Sequence, residues 1–292
     1  MMAGFDEISG SAVRVGDTVI EPAVLADAID AYLEEAPAVD GAPAPRLPGR
    51  VDKKANVAAV IVAGGSGDRF GRAGGKQLLP VLGKPLLTWS IQAFDAVGQV
   101  GHIVVVAPER RVDEYRALAV DPYDFVTPVT VVPSGALRQE SAMHGVEAVP
   151  PSFRFIAMHD GARPVILPET IVHAINVLKG TLDADGVVCG HPAIDTLKVV
   201  DGGTVVGTPE RSMFFVAQTP QIFHADVLRQ AHQAAMEEGF VGTDDSSLVE
   251  RVGGRVVLVT CPRDNIKLTV PEDLPPVLAF LRQRFGTPEE QA

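Results

Sequence analysis

Apolar runs about six residues long recur along the chain from residue 57, separated by stretches in which apolar positions return every three or four residues. "VAAVIV" (57–62), "HIVVVA" (102–107), "RFIAMH" (154–159) and "DGVVCG" (185–190) read as buried strands. "PLLTWSIQAFDAV" (85–97), "LRQESAMHGVEAV" (137–149) and "PETIVHAINVLKG" (168–180) read as the helices between them. This alternation predicts an α/β fold, Rossmann-like, with a mostly parallel sheet covered by helices on both faces. Ligands of such folds bind beyond the carboxyl ends of the strands.

The rhythm breaks at about 195–220. "TLKVV", "GGTVVG" and "MFFVAQ" read as short strands, the first two joined by a "DGG" turn. A hairpin projecting from an α/β core is expected to serve as a dimerisation arm; the alternative is a hairpin folded back on its own sheet. Residues 1–54 also stand apart. "VLADAIDAYLEEA" reads as a short amphipathic helix, and "PAVDGAPAPRLPGR", with four prolines in fourteen residues, as an extended linker. The expected division is an N-terminal extension with a Pro-rich linker over 1–54 and one main domain over 55–286. No internal repeat is present.

Composition narrows the class. The chain has 292 residues, 46% of them hydrophobic, which suffices for one large core and a small appendage. Two cysteines, Cys189 and Cys261, provide neither a disulfide framework nor a four-ligand zinc set. The beginning "MMAGFDEISG" lacks the basic and apolar regions of a signal peptide, and no run of ~18 apolar residues is present. A cytoplasmic protein without membrane contact is expected. The net charge of -12 argues against nonspecific nucleic-acid binding. It also means that an anionic substrate needs cations gathered locally.

Arginine and lysine gather first in a glycine loop after the opening strand, "VIVAGGSGDRFGRAGGKQLLP" (60–80). A P-loop would need glycine at position 70 and a hydroxyl after the lysine; the chain has Phe70 and Gln77. The dinucleotide fingerprint fits Gly65 and Gly67 and then fails at Phe70. The loop is therefore a third kind, in which glycine backbone, Arg69 and Lys76 face phosphate.

Three further stretches carry chemistry. In "SGALRQES" (134–141), Gly135 suits a tight turn and Ser141 either recognises a base or belongs to a helix cap. In "MHDGARP" (158–164), Asp160 ends a buried strand, where a magnesium carboxylate would sit, and Arg163 follows; His159 reads as a packed or hydrogen-bonded support. In "RDNIKLT" (263–269), after the strand "RVVLVT", Asp264 offers a second carboxylate and Lys267 another cation. "GTDDSSLVE" reads as structural, with Thr243 as N-cap and Asp244 and Asp245 in the first turn. No Ser-His-Asp or Cys-His set competes. A phosphate nucleophile is already deprotonated near neutral pH, so it needs charge neutralisation and in-line positioning rather than a base. The inventory suits nucleotidyl transfer.

The ordered motifs "AGGSGDRFG…GKQ", "GALRQES", "HDGARP", "DTLK", "AQTPQIF", "TDDSSLVE" and "DNIKLT" resemble those of the 2-C-methyl-D-erythritol 4-phosphate cytidylyltransferases over about residues 56–280. The resemblance implies a magnesium-dependent, homodimeric nucleotidyltransferase. It would join CTP to a sugar-alcohol phosphate, methylerythritol phosphate, giving CDP-methylerythritol and pyrophosphate on the route to isoprenoid precursors.

By motif, Arg69 and Lys76 would hold the triphosphate and stabilise the transition state, cradled by Gly64, Gly65 and Gly67. Gly135 and Ser141 would read the cytosine, and Arg163 would help position nucleotide or acceptor. Asp160 and Asp264 would bind magnesium, and Lys267 would neutralise the α-phosphate. Thr196 and Arg211 would grip the acceptor phosphate from the partner subunit's arm. Three positions depart from the family pattern: Gly75 replaces a usual proline, Gly161 a usual alanine, and Ala136 a commonly acidic residue. Ribitol 5-phosphate cytidylyltransferases share nearly every motif and give the close alternative. A non-catalytic nucleotide-binding regulator is the alternative of another class; it is disfavoured by the joint presence of Arg69, Lys76, Asp160, Asp264 and Lys267.

Overall fold

The computed structural model describes residues 13–15, 18–20, 55–65, 70 and 75–285. The expected helix and linker of the extension, and Gly67 and Arg69 of the glycine loop, lie outside the described residues. Within the extension the structure adds an antiparallel pair, Val13–Val15 with Thr18–Ile20.

The core is a seven-stranded sheet of β1 (Val57–Val62), β2 (Val100–Ala107), β3 (Val129–Pro133), β4 (Phe155–Asp160), β5 (Gly186–Pro192), β6 (Phe215–His224) and β7 (Val256–Thr260). Their order is β7-β5-β6-β4-β1-β2-β3. The pairs β1–β2, β1–β4, β2–β3 and β5–β7 are parallel. Only β6 runs the other way, antiparallel to both β4 and β5.

The period of two along β1 shows why its run is apolar throughout. Val57, Ala59 and Ile61 face one layer while Ala58 and Val60 face the other, and all five are fully buried. The first layer contains α1 (Leu86–Asp95), with Leu87, Ile91 and Phe94, and α4 (Pro168–Gly180), with Ile171, Ile175 and Leu178. Between these in sequence lie α2 (Val112–Ala119) and α3 (Arg138–Glu147). The opposite layer joins α3, through Ala142 and Val146, with α5 (Ala225–Glu238) and α6 (Asp245–Arg251).

A third cluster seats α7 (Leu274–Phe285) against the start of the domain. Leu274, Val277, Leu278 and Leu281 pack with Phe70, Leu79, Val81, Trp89, Val165 and Leu268. Phe70, the residue at which both glycine motifs fail, is 1% exposed and anchors its loop in this cluster.

The segment 195–220 behaves as two parts. Val199–Asp201 and Thr204–Gly207 form a separate antiparallel hairpin around Gly202 and Gly203, rather than folding back on the main sheet. The third expected strand is longer than its apolar core and belongs to the sheet as β6. The cap of α6 is corrected by one residue. Asp244, not Thr243, is the N-cap, and its carboxylate accepts from Ser247 N at 3.0 Å. The carboxylate carries the cap because its extended backbone turns an oxygen toward the open amides.

Candidate active site

Four segments meet at the carboxyl ends of the parallel strands. The glycine loop leaves β1, and the 134–138 turn leaves β3. They touch at Gly64, where a Cβ would stand 2.4 Å from Ser134 Cβ, so only glycine fits without displacing that turn. Asp160 closes β4 in register with Val62 of β1. The 264–268 segment runs alongside: Leu268 N donates to Ala162 O at 2.8 Å and Arg163 Nη1 to Asn265 O at 2.6 Å.

Asp160 is the electrostatic centre. Lys267 Nζ donates to its Oδ2 at 2.8 Å, Arg163 Nε lies 3.8 Å from the same oxygen, and Arg138 Nη2 lies 4.0 Å from Oδ1. Burial alone would raise this carboxyl, but Lys267 first, then Arg138 and Arg163, hold it down at about 2. The local concentration of cations anticipated from the net charge is therefore present, on a chain that is acidic overall.

His159 is the support anticipated for it. Asp160 N–H donates to Thr219 Oγ1 at 3.0 Å, which leaves the threonine proton for His159 Nδ1 at 3.1 Å. His159 Nε2 then donates to Arg163 O at 3.3 Å, and its ring meets Phe94 edge-on. Burial lowers its pKa to about 4, so it is neutral at pH 7. Asn265 Nδ2 closes the ring of contacts by donating to Thr219 O at 2.8 Å.

Several supporting residues were missed in the sequence. Arg138 is held by buried Asp245 at 3.0 Å, and Asp245 also pairs with buried His232 at 3.2 Å. Burial would raise the Asp245 carboxyl, but His232 and Arg138 lower it. Arg138, Thr219, Asp245 and Asn265 all lie inside recognised motifs, so polar residues within them were the available signal. Arg284, which reaches Asp264 from α7 at 2.5 Å, lies beyond every motif and offered none.

Asp160 and Asp264 supply hard oxygen donors from two segments tied together by hydrogen bonds. The Oδ1 of Asp264 is buried and has no hydrogen-bond partner, an acceptor whose bonding capacity is unused. Among the described residues, no group of three or more His, Cys, Asp or Glu could hold a metal alone. Magnesium typically takes one or two carboxylates and completes its shell with water and substrate phosphate, and Asp160 and Asp264 are donors of that type.

The sequence profile of the 2-C-methyl-D-erythritol 4-phosphate cytidylyltransferase family matches residues 57–283. The chain belongs to this family. A 2-C-methyl-D-erythritol 4-phosphate cytidylyltransferase of Caldanaerobacter subterraneus subsp. tengcongensis is 39% identical over 229 residues, covering 78% of this chain and 100% of the relative. One from Geotalea uraniireducens is 39% identical over 228 residues, covering 77% and 97%. Among crystal structures, a 4-diphosphocytidyl-2C-methyl-D-erythritol synthase from Anaerococcus prevotii superposes with a TM-score of 0.68 at 27% identity, covering 77% and 98%. The 2-C-methyl-D-erythritol 4-phosphate cytidylyltransferase of Thermus thermophilus gives 0.61 at 27% identity, covering 76% and 98%.

Within this cytidylyltransferase framework the remaining expected residues fall at three places. Gly64 and Gly65 open the glycine loop, and Lys76 closes it half-buried, its carbonyl accepting from Leu79 N at 3.1 Å. Gly75 has φ 75°, which a proline ring fixed near -65° cannot follow, so the loop reaches Lys76 by a path closed to the family's usual residue. The 134–138 turn is built as a cap. Gly135 N donates to Ser141 Oγ at 3.1 Å, Ser141 Oγ donates to Leu137 O at 2.9 Å, and Glu140 accepts from Ala136 N at 2.8 Å. At Gly161 an added Cβ would stand 3.1 Å from both Gln77 Oε1 and Leu87 Cδ1.

Thr196 and Arg211 lie elsewhere. Both are at the foot of the arm, where Arg211 is exposed and its Nη1 donates to Ile194 O at 2.8 Å. Among the described residues, no hydrogen bond or ion pair joins either to the Asp160 cluster.

Proposed function

We propose that the chain transfers CMP from CTP to 2-C-methyl-D-erythritol 4-phosphate, releasing pyrophosphate, in non-mevalonate isoprenoid precursor synthesis. The observation that carries this reading is the Asp160 cluster, with Lys267, Arg163 and Arg138 around one carboxylate and Asp264 beside it, at the strand ends of a chain matched to this family over 57–283. The acceptor phosphate attacks the α-phosphorus of CTP and pyrophosphate leaves. No general base is needed, because the attacking oxygen is already ionised. Arg69 and Lys76 hold the triphosphate against the glycine backbone, Lys267 neutralises the α-phosphate, and Gly135 holds the cytosine in a turn that the buried Ser141 hydroxyl braces. Asp160 and Asp264 would hold magnesium, which would supply neutralisation of the phosphate charge. Pyrophosphate release from CTP, measured with methylerythritol phosphate and ribitol 5-phosphate in turn, tests the reading. Preference for the ribitol ester would move the acceptor assignment, and no turnover with either would leave only a nucleotide-binding protein.

The arm supports a homodimer. Val199, Val200, Val205 and Val206 are 51–61% exposed, and Met213 is 80% exposed, an apolar display of the kind that a partner surface covers. In this dimer Arg211 and Thr196 grip the acceptor phosphate of the neighbouring site, Arg211 with its planar fork. Arg211→Ala is expected to weaken acceptor binding more than CTP binding. Mixed with an inactive Lys76→Ala chain, it should recover activity, because the heterodimer keeps one site with both residues. Proven heterodimers without recovery would overturn the arrangement.

The enzyme is assigned to the cytoplasm, a reading supported by its two free, buried cysteines. No helix among the described residues is long and apolar enough to cross a membrane. Residues 1–54 are assigned as an appendage. A chain starting at residue 51 is expected to keep near-normal turnover, and a large drop in a folded truncation would assign the extension to the site or the dimer.

A further inference from the structure

Asp264 is held from an unexpected direction. Arg284, in the last turn of α7, donates from Nη2 to Asp264 Oδ2 at 2.5 Å and from Nη1 to the carbonyl of Val165. Val165 follows the Asp160 segment by five residues and is buried in the same cluster as α7. One guanidinium therefore ties the second carboxylate to the strand-end segment that carries the first. The side chain is only 15% exposed, and the helix behind it is seated by Leu274, Val277, Leu278 and Leu281.

The two oxygens of Asp264 are unlike. Oδ2 has the charged donor; Oδ1 is buried with no partner. An unpartnered buried carboxylate oxygen has lost its water without gaining a donor, and a cation would offset that loss. The second bond of Arg284, to Val165 O, fixes the guanidinium plane, so whichever carboxylate oxygen it holds, the other is kept in one direction.

We propose that Arg284 is a positioning residue for the metal centre: it fixes Asp264 so that Oδ1 faces the cation, and it couples the C-terminal helix to metal binding. This rests on the assignment of Asp160 and Asp264 to magnesium. Lysine cannot replace the fork, because one ammonium does not span both acceptors in a plane. The guanidinium charge repels a nearby dication, but this repulsion is smaller than the benefit of a fixed ligand, since Oδ2 already neutralises the charge at close range.

The test measures CTP binding by equilibrium dialysis, with Mn2+ as the metal and with EDTA, for the full-length protein and for Arg284→Met, Arg284→Gln and Asp264→Asn. The wild type should bind CTP more tightly with Mn2+. Arg284→Met should lose about tenfold of that enhancement, in the range typical of groups that orient metal ligands, and leave metal-free binding unchanged. Arg284→Gln keeps one amide donor and should lose less; it also decides the matter if the methionine variant folds poorly. Undiminished enhancement in both Arg284 variants, or an equal loss with and without metal, would overturn the proposal. If the wild type shows no enhancement, or Asp264→Asn leaves it intact, the magnesium assignment itself fails.

Discussion

Lys267→Ala should lower turnover by ~10²-fold or more while leaving the fold intact. Lys267 Nζ is one of three cations around Asp160 and the one in direct contact, at 2.8 Å. Its side chain is 38% exposed, so it contributes little to the core. Removing it leaves Arg163 and Arg138 to balance Asp160, which is why the fold should survive. It also removes the ammonium assigned to charge that grows on the α-phosphate in the transition state, and neither arginine can move into its place. Arg163 is bound to Asn265 O and Arg138 to Asp245. Steady-state pyrophosphate release, with a thermal melt as the fold control, measures the effect. Wild-type-like turnover in a folded variant would remove Lys267 from the chemistry.

Asp160→Asn should abolish magnesium-dependent turnover and also lower stability. The amide keeps the shape and loses the charge that a hard dication needs. It also leaves Lys267, Arg163 and Arg138 facing one another without their common anion. The Asp160 carboxyl titrates at about 2 instead of 3.8. Its ionised form is therefore favoured by folding, on the order of 2 kcal/mol. This contribution is complete above the unfolded pKa and fades as pH falls through 2. At pH 7 the variant should melt several degrees lower, since ~1 kcal/mol shifts a domain of this size by about 2–4 °C. Below pH 2 the two proteins should converge. Normal activity with an unchanged magnesium optimum would show that Asp160 is not a ligand.

The sheet was legible because its strands are buried on both faces. A run such as "VAAVIV", six residues long and rich in β-branched side chains, suits a strand buried on both faces, and β1 covers it end to end. The helix "PETIVHAINVLKG" was equally plain and matches α4 residue for residue. Strand β3 was not recognised; its five residues include only one fully buried side chain, so its apolar signal is diluted. The reversal of β6 was also hidden, since direction leaves no mark on a strand's own pattern. At the site, charged residues within motifs could be named, but not what holds them. Asp245 looked like helix-start chemistry because a capping acid and a buried partner of Arg138 are the same residue type in the same motif. Arg284 lies outside every motif, and only the packing of α7 brings it to Asp264.

The reversal of β6 also governs how this architecture can change. In a purely parallel sheet, a chain leaving the carboxyl end of one strand must cross the whole layer before the next begins. Here β5 ends at Pro192 and β6 starts at Phe215, which are direct partners in the ladder. The arm therefore leaves and re-enters the sheet at adjacent points on the substrate-facing edge, as a hairpin does. Residues can be gained or lost at its tip in pairs without moving the register of any sheet strand. Arm length is thus open to variation independently of the core.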